Sequence, residues 1–247
     1  MTERRLGRKV ATRTLHAFVC TPAYDGRVEC NYSQSLAETA FCCPLYGIKL
    51  TASVMGNGAF IELARNIFVK RFLEEPDFKD CTHLFFIDAD LKFEARAFIG
   101  IMQADLPIAA GVYRRRQEPE EYPFKAAENP DGGGLWFIDD WLQCLRVPTG
   151  FLCIRRDVIE AMAKDARKVN VHGQDGPVPW LFYTKFDAEG RFIGEDFSFC
   201  DDYIARYKVE IPVWTNFDFV HGGHSGNLFK WIERQQEAQD QTTSSAA

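Results

Sequence analysis

The sequence of 247 residues contains no long apolar run, and this absence argues against a membrane-spanning protein. A transmembrane helix needs about 18 to 20 consecutive apolar residues, and no window reaches that length. The basic N-terminal segment, MTERRLGRKVATRTLHAF, also lacks the apolar stretch of a secretory signal. We therefore expect a cytoplasmic protein without a membrane span, in which residues 1–14 form a flexible lead-in.

An excess of positive charge and paired cysteine motifs are missing as well. The net charge is −6, so the composition argues against a protein that binds nucleic acid along its phosphate backbone. The eight cysteines show no CxxC or metal-knuckle spacing, and several lie within apolar runs, as Cys153 does in GFLCIRRD. We expect buried, reduced thiols. Internal repeats are also absent, and the chain length suits a single domain over residues 15–230.

Apolar runs typical of strands alternate with helical segments in the first half of the chain. The strand-like runs are LHAFVCTPAY (15–24), IKLTASVMG (48–56), CTHLFFIDAD (81–90) and LPIAAGVYRRR (106–116), and helices are predicted between them at 33–47, 56–75 and 94–102. This β-α-β-α-β-α-β order is typical of a parallel sheet covered by helices. Helical periodicity predicts two core faces: Leu36, Ala37, Ala40 and Phe41 in the first helix, and Phe60, Leu63, Ile67 and Phe68 in the second.

The second half of the chain has a different pattern. LWFIDDWLQCLRV and GFLCIRRD indicate mixed or antiparallel strands, helices are predicted at 156–168 and 194–208, and IPVWTNFDFVHGG indicates a last strand. The polar segment at 231–247 has no apolar periodicity and is predicted to be a disordered tail. The predicted fold is therefore α/β, with a mixed, mainly parallel sheet between two layers of helices. We divide the domain into halves at 15–116 and 117–230.

Asp88 and Asp90 end a core strand in HLFFIDADLKFEA. In open α/β sheets, ligands bind beyond the carboxyl ends of the strands, where these two residues are expected. Two carboxylates there supply hard oxygen ligands for Mg²⁺ or Mn²⁺, and such a cation would neutralise a diphosphate. The alternative is that one of them caps the helix that follows, which explains one carboxylate but not both.

His221 ends the last apolar run in FDFVHGGHSG, beside two glycines that let backbone approach a ligand closely. Neutral imidazole binds cations of the Mn²⁺ type, so His221 is a candidate to complete a metal site with Asp88 and Asp90. A hydrogen-bonded surface histidine is the simpler alternative. His224 competes for the same role, although it lies further along the loop.

Other polar residues at the ends of predicted elements are candidates for binding and catalysis. Glu195 and Asp196 open a helix, where the macrodipole favours acids; the functional interpretation is a general base that takes a proton from an acceptor hydroxyl. Three further segments have both a functional and a structural interpretation. Arg65-Asn66 suits a nucleotide or a solvated helix flank, Arg114–Arg116 a diphosphate clamp or a surface run, and Thr149-Gly150 a substrate-facing backbone or an ordinary turn.

The ordered set of motifs resembles the GT-A glycosyltransferases, and among them the small stand-alone members encoded by phages and large viruses. The motifs are TPAY, ELARN, CTHLFFIDAD, AAGVYRRR, VPTGFLCIRRDVIEAM, GEDFSFC and VHGG, and together they span residues 15–227. No single motif is specific; their order along the chain carries the resemblance. It implies the Rossmann-like GT-A fold, a nucleoside-diphosphate sugar as donor, and host cytoplasm as the location if the protein is viral.

The resemblance also implies roles for individual residues. Asp88-Ala89-Asp90 matches the DxD motif, with Asp90 on Mn²⁺ or Mg²⁺, Asp88 on the metal or the ribose, and His221 as the C-terminal metal ligand. The expected donor-binding residues are Thr21, Pro22, Ala23, Tyr24, Arg65, Asn66, Asp88, Ala89, Arg114, Thr149 and Gly150. Asp196, beside Glu195, would be the base of an inverting hexosyltransferase that uses a UDP-sugar such as UDP-glucose. The sequence leaves retention open.

Two other functions stay open at the level of sequence. A sugar nucleotidyltransferase usually carries a Gly-rich loop after its first strand, and here that loop is TPAYDGRVE. A non-catalytic sugar- or nucleotide-binding module on the same scaffold would bind without turnover. The acceptor is also undecided among a glycan, a protein and a modified DNA base.

Overall fold

The computed structural model describes residues 14–56 and 60–245, so the N-terminal lead-in before residue 14 lies outside the described residues. The helices are α1 Cys30–Cys42, α2 Ile61–Glu74, α3 Ala95–Ala104, α4 Arg156–Asp165, α5 Glu195–Tyr207 and α6 Leu228–Ser245. Two short 3₁₀ helices cover Cys43–Tyr46 and Pro76–Phe78.

Sixteen strands accompany these helices in the described residues. They are β1 Leu15–Ala23, β2 Ile48–Gly56, β3 His83–Ile87, β4 Leu91–Lys92, β5 Ile108–Ala110, β6 Lys125–Ala126, β7 Phe137–Ile138, β8 Trp141–Arg146, β9 Phe151–Arg155, β10 Lys168–Val169, β11 Val178–Pro179, β12 Lys185–Phe186, β13 Phe192–Ile193, β14 Ile211–Trp214, β15 Phe219–His221 and β16 His224–Gly226.

A nine-stranded mixed sheet forms the centre of the molecule, in the order β2-β1-β3-β9-β5-β14-β8-β6 with β7 added on β8. Strands β2, β1 and β3 are parallel, as are β5 and β14. Strands β9 and β8 run antiparallel to their neighbours. The α/β class with a mixed sheet is confirmed. The order is new, because β9 from the second half separates β3 from β5.

Alternation along the central strands creates two cores and hence three layers. In β1, Phe18 and Cys20 point into one core, while Ala17 and Val19 point into the other. The first core takes apolar residues from α2, α4, α5 and α6. The second takes residues from α1 and α3. Helices therefore cover both faces of the sheet, because strands that are buried on both sides need apolar partners on both sides.

Two predicted helix faces are corrected by the structure. In α1, Tyr32, Ser35 and Thr39 are buried, whereas Phe41 is 80% exposed. The actual helix begins three residues earlier than predicted and ends at Cys42, which leaves Phe41 at its C-terminal end. In α2, Phe60 precedes the helix and is 65% exposed. The buried face of α2 includes Phe68 as predicted.

The C-terminal segment is helical where a disordered tail was predicted. Helix α6 reaches Ser245, and its first turns pack against the core through Leu228, Trp231 and Ile232. The ring of Trp231 lies 5.4 Å from that of Tyr122. Leu228 precedes the polar segment at 231–247, and Trp231 and Ile232 are its first two residues. The helix therefore begins with residues that pack on the core, and the polar composition of the rest gave no indication of it.

The cysteines match the expectation of unpaired, mostly buried thiols, whereas the strand predicted after α5 differs from its expectation. All eight cysteines are unpaired; six are buried and Cys30 is exposed. The run at 211–223 forms two strands: β14 in the main sheet, and β15 in a three-stranded sheet with β4 and β16.

No helix among the described residues is long and apolar enough to cross a membrane.

Candidate active site

The carboxyl ends of β1, β3 and β5 meet at one edge of the sheet because these strands share a direction. Strand β9 runs the other way and begins at this edge, so Ile87 pairs with Phe151 and the preceding Gly150 lies beside Asp88. The Asp88 amide donates a hydrogen bond to the Gly150 carbonyl at 3.0 Å. A Cβ on Gly150 would lie 2.1 Å from Asp88 Oδ2 and 1.9 Å from the Tyr113 hydroxyl. Glycine is required here by close packing.

Two side chains hold the Asp88 carboxylate. The Tyr113 hydroxyl donates to Oδ2 at 2.7 Å, and Arg65 Nη2 donates to Oδ1 at 3.4 Å. Arg65 is 4% exposed and also donates to Glu195 Oε1. Burial opposes the charge of the guanidinium, but the carboxylates of Asp88 and Glu195 raise the pKa of Arg65. Arg65 therefore links β3 to α5 as a buried cation, which excludes a solvated helix flank.

The two acids at the start of α5 have different environments. Glu195 is committed to Arg65. Asp196 Oδ1 accepts a hydrogen bond from the Phe197 amide at 2.7 Å. Burial raises the pKa of Asp196, and the Glu195 carboxylate raises it further, against the influence of Arg65. Of the two acids, Asp196 is therefore the one that forms no ion pair with Arg65.

Asp90 and His221 are adjacent although 131 positions separate them in the chain. Strand β15 pairs with β4, which follows Asp90 directly, and His221 lies opposite Leu91. His221 Nε2 lies 3.7 Å from Asp90 Oδ2. His221 Nδ1 lies 3.0 Å from the Arg114 carbonyl oxygen, to which it donates. Burial lowers the pKa of His221. Because Nδ1 donates to a carbonyl, Nε2 is the ring nitrogen that can accept, and it lies on the side of Asp90.

Arg116 lies between these two residues. Its Nη2 contacts Asp90 Oδ2, and its Nε donates to His221 Nε2 at 3.0 Å. The predicted donor ligand in this run was Arg114, but Arg114 is buried and donates to the carbonyls of Gln117 and Ser225. Of the arginine run, Arg116 is therefore the one that lines the site.

His224 is directed elsewhere. It pairs with His221 across the β15–β16 turn, and its Nδ1 lies 3.9 Å from Glu118 Oε1. Of the two histidines that the sequence offered as metal ligands, His221 is the one beside Asp90.

A cavity of about 620 Å³ opens at the same edge of the sheet. Its lining includes Pro22, Ala23 and Tyr24 from the end of β1, Asp88, Ala89 and Asp90 from the end of β3, and Arg27, Glu29 and Arg116. The Glu29 amide donates to the Ala89 carbonyl at 2.8 Å, so the segment after β1 is fixed to the segment after β3. The volume lies within the range of small-ligand and cofactor sites.

Six residues that were predicted to bind the donor do not line this cavity: Arg65, Arg114 and Gly150, described above, and Thr21, Asn66 and Thr149. Thr21 is fully buried and its hydroxyl pairs with that of Tyr32. Asn66 is fully buried and bonded to protein through all its polar valences: Oδ1 accepts from the amides of Leu181 and Phe182, and Nδ2 donates to the Phe182 and Glu62 carbonyls. These side chains support the site from within the core.

Thr149 is another of these residues. It is buried, and no hydrogen-bond partner of its hydroxyl is found among the described residues. It precedes Gly150 and so lies next to the edge where β9 begins. A buried hydroxyl without a partner costs free energy and remains available as a donor or acceptor.

The residues that could hold a metal are fewer than predicted. No group of three or more metal-ligating side chains is found in the part of the chain that the structure describes. Asp88 is engaged by Arg65 and Tyr113, which leaves Asp90 and His221, the pair that Arg116 contacts, as candidate ligands. This pair fits a divalent cation, because Mg²⁺ is usually held by one or two carboxylates together with phosphate oxygens and water.

Sequence reasoning missed Tyr113, and of the arginine run it named Arg114 rather than Arg116, which lines the cavity. All three residues follow β5, and the run GVYRRR identifies the segment as polar beyond a buried strand. Which of its side chains faces the site depends on the path of the backbone after β5. That path is irregular, so no periodicity distinguishes the three arginines.

The fold and the site together define an α/β protein with an acidic, arginine-bearing cavity at the carboxyl edge of a mixed sheet. Two solved structures are similar to it in fold alone. A197 from STIV is 16% identical, with a TM-score of 0.47 over 84% of this chain and 85% of that chain. GalNAc-T7, solved with UDP, GalNAc and Mn²⁺, is 9% identical, with a TM-score of 0.41 over 83% of this chain and 43% of that chain. No protein-family model and no curated protein matches the sequence.

Proposed function

We propose that the protein is a glycosyltransferase that moves a sugar from a nucleoside-diphosphate donor, UDP being the first candidate, to an acceptor hydroxyl. One observation carries the proposal: the Asp90–His221 pair, the Arg65-linked acids and the cavity at the end of β1 adjoin the same edge of the sheet. A cation site, a candidate base and a nucleotide-sized space are the parts that such a transfer needs. The three classes of acceptor to test are glycans, proteins and modified DNA bases.

The residues in and around the cavity have separate proposed roles. The end of β1, with Pro22, Ala23 and Tyr24, offers a surface for the base and ribose. Asp90 and His221 would hold a divalent cation, which when bound neutralises the charge that develops on the departing diphosphate. Arg65 orients Asp88 and Glu195 and keeps their charges paired.

The chemical step uses Asp196 as the general base. The acceptor oxygen attacks the anomeric carbon, the bond from that carbon to the phosphate oxygen breaks, and the nucleoside diphosphate departs with the electron pair. The acceptor proton passes to Asp196 Oδ. Attack opposite to the leaving group inverts the configuration, so the anomeric product is a readout of the mechanism.

The test is release of nucleoside diphosphate from UDP-, GDP-, CDP- and TDP-sugars with Mn²⁺, comparing wild type with Asp90→Asn. We expect Asp90→Asn to lower release about a hundredfold or more, because the cation loses its carboxylate. Asp175→Asn is the matched control, since Asp175 is exposed and lies outside the site. Full activity of Asp90→Asn would remove the metal from the proposal.

The two alternative functions predict different results, each in its own assay. Pyrophosphate release from a nucleoside triphosphate and a sugar phosphate would identify a nucleotidyltransferase. Saturable binding of a nucleotide sugar, with neither transfer nor hydrolysis across acceptor panels, would identify a binding module.

A further inference from the structure

The Arg116 side chain occupies the space between the two candidate metal ligands. Its Nη2 contacts Asp90 Oδ2, and its Nε donates to His221 Nε2 at 3.0 Å. These are the same oxygen and nitrogen lone pairs that a divalent cation would take. A guanidinium and a metal ion cannot share them, since both are cations and need the same positions.

The surroundings of Arg116 are shaped for this contact. A Cβ on Gly222 would lie 2.6 Å from Arg116 Cδ, so glycine makes room for the side chain. Gly222 also has φ +53°, a left-handed conformation that favours glycine. The Arg114 carbonyl accepts from His221 Nδ1 and thereby presents Nε2 to Arg116.

The neighbouring Arg115 shows that the contact belongs to one arginine. Arg115 Nε lies 3.3 Å from Glu121 Oε1, and its amide donates to the Glu121 carbonyl at 2.8 Å. Arg115 therefore pairs within its own loop, away from Asp90. It has the same charge as Arg116 and is adjacent in the chain, which makes it a matched control.

Arg116 is also a wall residue of the cavity, together with Asp90 and Ala89. Its side chain is 52% exposed, so the guanidinium can leave Asp90 without opening the core. Displaced from the pair, it stays at the cavity, where arginine binds phosphate oxygens in a fork geometry.

We propose that Arg116 is an internal counter-ion that competes with the divalent cation for Asp90 and His221, and that on displacement it binds the donor's diphosphate. This inference rests on the proposed function for the identity of the donor. It makes two opposite predictions for one substitution: without Arg116 the metal binds more tightly when nucleotide is absent, whereas the nucleotide binds less tightly when metal is saturating.

The first measurement is Mn²⁺ affinity without nucleotide, by electron paramagnetic resonance of the free ion. Arg116→Gln should bind Mn²⁺ about fivefold to tenfold more tightly than wild type, as expected for loss of one competing ion pair. Arg115→Gln should stay within about twofold of wild type, because its charge is not in contact with the pair. Arg116→Lys keeps the charge and should resemble wild type more than Arg116→Gln does.

The second measurement is UDP affinity at saturating Mn²⁺, by calorimetry. Arg116→Gln should bind UDP about tenfold more weakly, and Arg115→Gln within about twofold of wild type. Equal or weaker Mn²⁺ binding by Arg116→Gln, or no Mn²⁺ binding by any variant, would overturn the inference. So would unchanged UDP affinity. Neither measurement needs turnover, so a failure of glycosyl transfer alone leaves the two opposite shifts intact and is recognised separately.

Discussion

At the scale of single residues, Asp196 combines its proposed catalytic role with a cost in stability. Its pKa is raised by burial and by the Glu195 carboxylate, so the charged form is disfavoured in the folded state. A raised folded-state pKa means that the folded protein binds the proton more tightly than the unfolded chain does. The stability linked to this group is present at low pH and is lost as the pH rises through the folded-state pKa.

Asp196→Asn should therefore separate activity from stability. We expect transfer to fall about 10²- to 10⁴-fold, as for loss of a general base. At pH 7 the variant should have a higher free energy of unfolding than wild type, because no buried charge remains. The difference should shrink as the pH falls, since Asp196 then becomes protonated. Denaturant unfolding at several pH values measures it, and a variant that is less stable than wild type at pH 7 contradicts the prediction.

Gly150 determines the position of the Asp88 carboxylate. A methyl group on Gly150 would overlap both Asp88 Oδ2 and the Tyr113 hydroxyl. Gly150→Ala should therefore displace Asp88 from Arg65 and lower both UDP affinity and stability, the latter by about 1–3 kcal/mol. Gly190→Ala is the comparison: Gly190 lies on an exposed turn at φ +77°, so the alanine strains the backbone and lowers stability, but its Cβ meets nothing within 4 Å and UDP affinity should not change. If Gly150→Ala binds UDP as wild type does, Asp88 is not needed in its present position.

At the scale of elements, α2 connects the cavity to the start of α5 and to the backbone at 181–182. Ile61 and Ala64 line the cavity, Arg65 joins Asp88 to Glu195, and Asn66 holds the backbone at 181–182. Consecutive residues of one helix thus have three functions, because a helix presents successive side chains about 100° apart.

Asn66→Ala tests the structural role of this helix. The substitution leaves the amides of Leu181 and Phe182 without their acceptor in a buried place, so stability should fall by about 2–4 kcal/mol. Gln34→Ala removes an exposed amide from α1, where Gln34 pairs with Glu38, and should change stability by less than about 0.5 kcal/mol. Thermal and denaturant unfolding give both values. If Asn66→Ala changes the free energy of unfolding by less than about 0.5 kcal/mol, the structural role is wrong and Asn66 is again a candidate nucleotide contact.

At the scale of the whole molecule, the site joins distant parts of the chain. Pro22, Asp88 and Arg116 come from the first half, and His221 comes from the small sheet formed by β4, β15 and β16. A ligand that contacts all of them links the halves 15–116 and 117–230, a division that remains a prediction. Ligand binding should therefore stabilise the fold as one unit.

A thermal-shift series measures this coupling. With a nucleotide at about one hundred times its Kd and saturating Mn²⁺, the added stability is about 2.7 kcal/mol, so Tm should rise by roughly 5–10 °C. The same nucleotide without Mn²⁺ should give a smaller shift, and Asp90→Asn should abolish the difference between the two conditions. Equal shifts with and without metal would show that Asp90 and His221 do not couple cation to nucleotide.

The sequence by itself determined the local elements and the identity of the chemical groups. The strand-like apolar run LHAFVCTPA specifies β1, and the run HLFFI, followed by Asp88, specifies a strand that delivers carboxylates to a sheet edge. Strand alternation and strand ends are local properties, readable from a few residues. The same holds for the prediction of Asp90 and His221 as metal ligands, because their residue types suit a cation and each lies at the end of an apolar run.

Only the tertiary structure decided which of these groups meet. The insertion of β9 between β3 and β5 brings Gly150 to Asp88, and the pairing of β4 with β15 brings His221 to Asp90. The tertiary structure also buries the side chains of Asn66 and Thr21, and of the three arginines it places Arg116 beside Asp90 and His221. The physical reason is that strand order, the burial of a helix face and the path of an irregular loop depend on packing between distant segments. No window of sequence contains those contacts.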